Sequence, residues 1–357
     1  MLVDGPARVA LCAGKAEAFG FQINANKVII REGKRLPFAI LETAAFEIAL
    51  GEGAAITEVE GDTIPLSWRS AKTTMCGILR KPAVVMVVGG IDSGKSSFCT
   101  YIANKLVNER CIVAVLDEDL GQSDIGPPCT VAYALLQKPV TDLFNLSPEN
   151  AFFVGATTPS EATEKTIQAV AASETEIQNK TKVDFIIVNT DGWVSGEAAV
   201  AFKQRLAEAV NPDIVFYFQD KGKLSYLPAT MTDAFCSFKV QQVNSPGVVK
   251  ERDRESRKTL RELGFAKYLE NARVKVFSLS HIIVEGAETN PLFRKNEIEG
   301  TLVGLHGAQR RFLGIGVIRG SDTTRKALKI LTAVPEKPSL VVFGKVRLDA
   351  NLREIQE

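Results

Sequence analysis

Apolar runs of strand length alternate with longer stretches of helical periodicity through the middle of the chain. The runs, between residues 83 and 243, are AVVMVV, CIVAVL, AFFVG, DFIIVN, DIVFYF and FKVQQV, and helical patterns begin near Lys95, Pro159, Gly196 and Lys250. Strands that are apolar on both faces and joined by helices are typical of a parallel sheet covered on both sides. The pattern therefore predicts an α/β domain with a mostly parallel central sheet.

The two ends of the chain have a different pattern, with short β-like runs separated by turn residues. Such runs are typical of small β-domains. The chain of 357 residues is also longer than a single core usually grows. We therefore predict three domains, with an N-terminal β-domain over residues 1–78, the α/β domain over 79–271 and a C-terminal β-domain over 272–357.

Composition narrows the class of protein. Hydrophobic residues make up 45% of the chain, charged residues 24%, and the net charge is +1. No apolar run approaches the roughly 20 residues of a membrane span, and the N-terminus lacks the pattern of a signal peptide. The six cysteines are scattered without a CxxC pair, which favours a reduced, cytoplasmic compartment and argues against a zinc site. Any basic surface for nucleic acid has to be local.

One stretch, VVMVVGGIDSGKSSF at residues 84–98, carries a phosphate-binding signature. It matches G-x-x-x-x-G-K-[ST] between a buried strand and a helix, so backbone N–H groups would cradle a phosphate. Lys95 would then reach the β- and γ-phosphate oxygens and Ser96 would bind Mg²⁺. The predicted nucleotide-binding residues are Gly89, Gly90, Ile91, Asp92, Ser93, Gly94, Lys95, Ser96 and Ser97. The motif alone leaves kinase, ATPase and GTPase open.

Two carboxylates follow the next apolar strand, at Asp117 and Asp119 in CIVAVLDEDLGQ. The carboxyl ends of parallel strands form the ligand edge of such sheets, and a carboxylate there can hold Mg²⁺ or accept a proton from an attacking hydroxyl. The alternative is a strand that simply ends in solvent. The guanine-specifying motif N-K-x-D is missing, since its nearest counterpart, NTDG at 189–192, lacks the lysine, and this disfavours a GTPase.

Five motifs together resemble the polynucleotide 5′-hydroxyl kinases of the Clp/Grc type, in their compact archaeal form. The resemblance extends over nearly the whole chain. The motifs are GGIDSGKSS with Asp92, DLGQSDIGPP with Asp119 and Gln122, FVGATTP with Thr157, IVNTDGWVSG with Trp193, and VVKERDRESRKTLRELGFAKYL with Arg252 and Arg257.

The resemblance implies a set of roles. Lys95, Asp119, Arg252 and Arg257 would be catalytic. Ser96, Asp119 and Asp117 would hold the metal, and Gln122, Thr157 and Trp193 would bind the substrate strand. The last motif, residues 248–269, would be a mobile lid, and Glu17 would contact adenine. The implied cofactors are ATP and Mg²⁺, and the implied partners are RNA, or DNA, with a 5′-hydroxyl end, and RNA-processing proteins.

Alternatives remain open at this level. Arg254, Arg257 and Arg261 share one helix face at i, i+3, i+7 spacing, which fits either a lid or an ordinary solvated helix. Trp193 could stack a terminal base or lie in the core, and Trp68 is predicted to pack at the junction of two domains. The competing functions are a nucleotide-bound scaffold of an RNA-processing complex and a P-loop ATPase or metabolite kinase.

Overall fold

The structure is a computed structural model that describes residues 1–23, 27–180, 182–219, 239–248, 250–286, 298–322 and 324–355. Cys236, Phe238 of the last predicted central strand and Val249 of the predicted lid lie outside these residues. None of the helices in the described ranges is long and apolar enough to cross a membrane.

The N-terminal region forms two small antiparallel sheets and one helix. Its elements are β1 (Leu2–Asp4), β2 (Ala7–Ala18), β3 (Phe21–Ile23), β4 (Val28–Ile30), β5 (Arg35–Pro37), β6 (Ala39–Leu50), β7 (Ile56–Thr57) and α1 (Leu66–Cys76). One sheet has the order β5-β1-β7, and in the other β2 pairs with β3, β4 and β6. The helix α1 was not predicted, because this region was interpreted as β structure throughout.

The central region alternates strands and helices. Its elements are β8 (Ala83–Val88), α2 (Lys95–Asn108), β9 (Val113–Asp117), β10 (Thr130–Leu136), β11 (Asn150–Phe153), α3 (Thr163–Lys180), β12 (Phe185–Asn189), α4 (Glu197–Val210), β13 (Ile214–Gln219), β14 (Lys239–Asn244) and α5 (Arg254–Tyr268). They form one sheet in the order β11-β10-β9-β12-β8-β13-β14. All neighbouring pairs from β9 to β14 are parallel, which confirms the predicted fold class.

The sheet differs from the prediction at one edge. Strand β10 was not predicted, and it pairs antiparallel with both β9 and β11. No helix lies between the end of β9 at Asp117 and the start of β10 at Thr130. Without a crossover helix the chain returns beside β9 in the opposite direction, because a parallel return needs a long connection.

The helix starts follow local capping chemistry. Helix α2 begins at Lys95 as predicted, but α3 begins at Thr163 after a 3₁₀ turn at Pro159–Glu161, and α4 begins at Glu197. Helix α5 begins at Arg254, because the Asp253 side chain accepts the Ser256 N–H at 2.8 Å. Arg252 consequently precedes helix α5 and does not share its face.

The C-terminal region is a six-stranded sheet. Its strands are β15 (Arg273–Ser278), β16 (Ile283–Glu285), β17 (Thr301–His306), β18 (Phe312–Asp322), β19 (Ala327–Thr332) and β20 (Leu340–Arg347), in the order β15-β19-β18-β17-β20-β16. It packs on helix α5, since Phe265 is fully buried with Leu302, Ile315, Val317 and Leu348. The helix of the predicted lid is therefore anchored to the C-terminal sheet.

The central sheet is buried on both faces. One apolar cluster joins a face of the sheet to α1, α2 and the N-terminal strands, and a second joins the other face to α3 and α4. Trp68 of α1 is fully buried in the first cluster, stacked on Phe19 and edge-on to Phe98 and Phe218. Trp68 therefore contacts both the N-terminal strands and the central region, and its place at a domain junction stays a prediction.

Candidate active site

A cavity of about 540 Å³ lies above the carboxyl ends of the parallel strands. Six parts of the chain line it: the N-terminal domain, the loop after β8 with the start of α2, the loops after β9, β11 and β12, and residues between Pro246 and Arg261. This is the edge at which parallel α/β sheets bind ligands. The cavity therefore brings together segments that are distant in sequence.

The loop from Gly89 to Gly94 turns directly into helix α2. Gly94 is its N-cap with φ +102°, a conformation that favours glycine, and its carbonyl accepts the Phe98 N–H at 2.9 Å. The first N–H groups of α2 have no partner within the helix. The side-chain oxygen of Ser93 is buried without a partner among the described residues. The loop thus offers unpaired polar groups where an anion would supply acceptors.

Lys95 is 93% covered by protein, with only 7% of its surface exposed. Its ammonium donates to the Gly90 carbonyl at 2.7 Å. Burial lowers the pKa of Lys95, and the negative charges of Asp119 and Asp191 oppose that effect. A phosphate would favour the charged form in the same way, so this ammonium is suited to an anionic ligand.

The two carboxylates after β9 have different surroundings. Asp117 is fully buried, and its Oδ2 accepts the N–H groups of Asp124 at 2.6 Å and Ile125 at 3.3 Å. Burial raises the pKa of Asp117 to about 7. Its Oδ1 accepts the Asn189 amide, which also donates to the Ser96 hydroxyl at 3.4 Å. Asp117 therefore holds the loop after β9 and, through Asn189, contacts Ser96 indirectly. It does not line the cavity.

Asp119 does line the cavity. Its Oδ1 accepts the N–H groups of Gly121 and Gln122 at 3.2 and 2.8 Å, and no described residue donates to Oδ2. Burial and then the charge of Asp191 raise the pKa of Asp119. A carboxylate with one fixed and one free oxygen can accept a proton or ligate a cation.

A buried ion triad lies beneath this edge. The ammonium of Lys203, on α4, contacts Glu118 at 3.2 Å and also Asp191, and both Lys203 and Glu118 are fully buried. Asp191 in turn accepts the Trp193 N–H at 3.1 Å. Burial raises the pKa of Glu118 to about 8, against the effect of the Lys203 charge. The triad joins the end of β9 to the turn that carries Trp193.

The predicted substrate-binding residues lie around one side of the cavity. Gln122, Thr157 and Trp193 all line it. Two glycines allow neighbouring loops to approach closely. A Cβ atom added to Gly192 would lie only 2.5 Å from Ile91 of the phosphate loop, and one added to Gly121 would lie 2.7 Å from the Thr157 carbonyl oxygen. Trp193 is half-buried and stacks on Phe202 with a centroid distance of 5.7 Å. One face of its ring is thus covered by protein.

The two arginines of the predicted lid approach the phosphate loop directly. Asp92 of the loop accepts the backbone N–H of Arg252 at 2.9 Å, and its carboxylate lies 3.5 Å from the Arg252 guanidinium and 3.8 Å from that of Arg257. Gln122 donates to the Arg257 carbonyl at 2.9 Å. Arg261 lines the cavity and forms a two-point pair with Glu354, whereas Arg254 is exposed and lies outside the cavity wall.

The N-terminal domain supplies residues that the sequence did not indicate. Arg31, Lys34 and Arg35 line the cavity, and they come from the basic segment REGKR, which is the signal that could have found them. Glu17, predicted to contact adenine, pairs with Lys105 at 3.1 Å and does not line the cavity. Eight basic and four acidic side chains line the cavity in the described residues, so basic side chains outnumber acidic ones on this wall.

The donor set fits a magnesium ion. The Ser96 hydroxyl and the free oxygen of Asp119 are hard oxygen ligands, and Mg²⁺ in such sites takes one or two protein oxygens, waters and substrate phosphates. No cluster of three or more His, Cys, Asp or Glu side chains suited to a metal occurs among the described residues, so an all-protein metal cage is not found there.

Comparison with known proteins gives a consistent result. Residues 89–271 match the family model of the mRNA cleavage and polyadenylation factor CLP1 P-loop. A polyribonucleotide 5′-hydroxyl-kinase of Pyrococcus furiosus is 27% identical over 330 residues, covering 78% of this chain and 91% of the relative. One from Pyrococcus horikoshii is 31% identical over 221 residues, covering 62% of this chain and 58% of the relative. A chain of the solved Clp1p–Pcf11p complex shares the fold with a TM-score of 0.74 at 13% identity, over 97% of each chain.

Proposed function

The chain belongs to the CLP1 P-loop family, and we propose that it is an ATP-dependent polynucleotide 5′-hydroxyl kinase acting on RNA. The observation that carries the proposal is a single cavity that joins a phosphate loop, a cavity-lining carboxylate, two lid arginines and a tryptophan. The archaeal relatives named polyribonucleotide 5′-hydroxyl-kinases support the substrate class.

In the proposed reaction the 5′-hydroxyl oxygen of the RNA bonds to the γ-phosphorus of ATP. The bond from that phosphorus to the oxygen bridging to the β-phosphate breaks, ADP leaves, and Asp119 accepts the proton of the hydroxyl. The raised pKa of Asp119 makes its carboxylate a better proton acceptor than an ordinary one. The products are ADP and an RNA with a 5′-phosphate.

The remaining residues stabilise charge and hold the substrates. Lys95, Arg252 and Arg257 would stabilise the charge on the transferring group, which is the largest catalytic contribution in phosphoryl transfer. Mg²⁺ held through the Ser96 hydroxyl would neutralise charge on the β- and γ-phosphates and would leave the free oxygen of Asp119 for the proton. The exposed side of Trp193 would stack the terminal base, worth roughly 1–3 kcal/mol and tolerant of sequence.

The partners and compartment are part of the proposal. RNA is the acceptor that the names of the relatives support, and DNA remains a prediction. The fold shared with a chain of the Clp1p–Pcf11p complex is consistent with assembly with RNA-processing proteins. A cytoplasmic location agrees with the five free cysteines among the described residues.

The test is transfer of labelled γ-phosphate from ATP to matched RNA and DNA oligonucleotides with 5′-hydroxyl or 5′-phosphate ends. We expect label on the 5′-hydroxyl RNA, none on the 5′-phosphate RNA, and none with Lys95→Ala. ATP hydrolysis without labelled RNA would support the ATPase alternative. ATP binding without transfer or hydrolysis would support the scaffold alternative.

A further inference from the structure

Asp92 connects the phosphate loop to Arg252, which lies just before helix α5. Its Oδ2 accepts the Arg252 N–H at 2.9 Å, and the same carboxylate faces the guanidiniums of Arg252 and Arg257. Its side chain is 12% exposed and its φ is +56°, a left-handed conformation that aspartate tolerates better than most residues. An acidic side chain beside a phosphate-binding loop needs a reason, because it repels the ligand.

The contacts of Asp92 are of two kinds. The hydrogen bond to the Arg252 N–H has the ordinary length of a backbone donor to a carboxylate and involves no group that a phosphate would need. The guanidinium contacts, at 3.5 and 3.8 Å, are longer than normal hydrogen bonds. The backbone contact can therefore persist when the two guanidiniums bind a ligand.

The arginines themselves are incompletely satisfied. The buried Nε of Arg252 has no hydrogen-bond partner in the described part of the chain. Arg257 donates from Nη1 to the Arg252 carbonyl at 2.6 Å, which joins the two arginines to each other. A buried donor without a partner is costly, and an anionic oxygen would remove that cost. Both side chains are thus held near the loop with donors to spare.

We propose that Asp92 is a positioning residue that fixes Arg252 and Arg257 above the phosphate loop through the Arg252 backbone N–H. The inference rests on the proposed function and assigns to that site the residue that places its arginines. A latch that holds the arginines away from phosphate is the weaker interpretation. Partly exposed ion pairs of this length contribute about 0–1 kcal/mol, too little to compete with a triphosphate.

Two substitutions separate the hydrogen bond that Asp92 accepts from the Arg252 N–H from the negative charge of its carboxylate. Asp92→Ala removes both, whereas Asp92→Asn keeps a side-chain oxygen that can accept the Arg252 N–H. We expect Asp92→Ala to lower kcat for RNA phosphorylation about 10- to 100-fold with the KM for ATP changed less than about threefold, the scale of one hydrogen bond to a charged group. Asp92→Asn should retain kcat within about threefold of wild type. Glu47→Gln, which removes a carboxylate from the exposed pair with Arg8, is the matched control and should change nothing.

A double-mutant cycle tests whether Asp92 acts through the arginines. In a background carrying Arg252→Ala and Arg257→Ala, adding Asp92→Ala should change the residual kcat by less than about twofold, since interacting residues are non-additive. Three results would overturn the proposal: a higher kcat in Asp92→Ala, an Asp92→Asn variant as slow as Asp92→Ala, or a full additional loss in the arginine-free background.

Hydrogen exchange gives a readout that does not need catalysis. In the free protein, Asp92→Ala should speed exchange at the Arg252 amide at least about tenfold, Asp92→Asn should not, and the amides of β15 should be unchanged. If the wild-type chain transfers no phosphate but this pattern is seen, the proposed function fails and the positioning role stands. Unchanged exchange in Asp92→Ala would refute the positioning role whatever the activity.

Discussion

Two groups of basic side chains face the same cavity, and their partners differ. On the N-terminal side, Arg31 lies between two carboxylates, bonded to Asp142 at 2.7 Å and also to Asp124, and Lys34 lies 3.3 Å from Asp142. On the lid side, Arg252 and Arg257 have only the longer contacts to Asp92 among described carboxylates. The first group is neutralised by close partners, whereas the second keeps its charge available.

The pKa of Asp142 reflects its close basic partners on the N-terminal side. Burial alone would raise the pKa of Asp142, but the charges of Lys34 and Arg31 outweigh it and the pKa is lowered. Arg31 also lies over the ring of Phe144 at 4.6 Å. These contacts tie the N-terminal domain to the connection between β10 and β11. An arginine on a cavity wall is therefore not evidence of ligand binding until its carboxylate partners are counted.

The largest expected effect is on the lid side. Arg252→Ala and Arg257→Ala should each lower kcat by up to about 10³, as loss of an arginine does in other phosphoryl transfers. ATP affinity and the melting temperature should change little, because both side chains act mainly in the transition state. Lysine substitutes should restore little, since an ammonium lacks the planar fork. Steady-state kinetics with a 5′-hydroxyl RNA beside melting curves checks this, and an unchanged kcat in both variants would contradict it.

The N-terminal group should respond in the opposite way. Arg31→Met removes the partner of Asp124 and one of the two basic partners of Asp142. It should lower the free energy of unfolding by about 2–4 kcal/mol, a loss reduced by the partial exposure of Arg31. The kcat of the fraction that stays folded should fall much less than in the lid variants. Arg8→Met, which breaks the exposed pair with Glu47, is the control and should cost less than about 1 kcal/mol. Urea unfolding measures both, and equal losses would contradict the contrast.

Acid should weaken the contacts of the N-terminal group. Because the pKa of Asp142 is lowered in the folded state, its contribution to stability is complete above the unfolded pKa of about 4 and is lost as pH falls below it. Asp142→Asn should remove up to about 1.4 kcal/mol per pH unit from the acid slope of the free energy of unfolding between pH 4 and 2. A slope equal to that of wild type would show that Asp142 does not carry the effect.

The contribution of Asp117 to stability depends on pH in the opposite direction from that of Asp142. Its pKa is raised to about 7, so its contribution is complete below the unfolded pKa of about 4 and is lost as pH rises toward 7. The change in the acid slope expected for Asp142→Asn between pH 4 and 2 is therefore not explained by Asp117.

The smallest expected effect is at Arg254. It lies on the same helix as Arg257 but is exposed and does not line the cavity. Arg254→Ala should change the free energy of unfolding by less than about 0.5 kcal/mol and leave kcat unchanged. A tenfold loss of kcat would mean that the whole basic helix, and not two chosen side chains, acts on the substrate.

Much of the central domain could be predicted from sequence. The G-x-x-x-x-G-K-[ST] spacing, the apolar run before it and the helical pattern after it are local features, and the structure has β8, the loop and α2 in that order. The domain boundaries at 78 and 271 and the roles of the site residues stay predictions. Strand β10 was missed. Its antiparallel direction follows from the lack of a crossover helix after β9, and that lack is visible only once β9 and β10 are known to be neighbours.

The sequence by itself determined the phosphate loop and the family, because both depend on residues that are close along the chain. Only the tertiary structure decided which charges are free. Asp117 ends strand β9 and Asp119 follows two positions later, yet one is buried beneath the loop and the other lines the cavity. Arg31 meets Asp142 across 111 residues of sequence, and Arg252 meets Asp92 across 160. The charge that a side chain presents to a ligand depends on partners brought close by folding, and no local pattern encodes their distances.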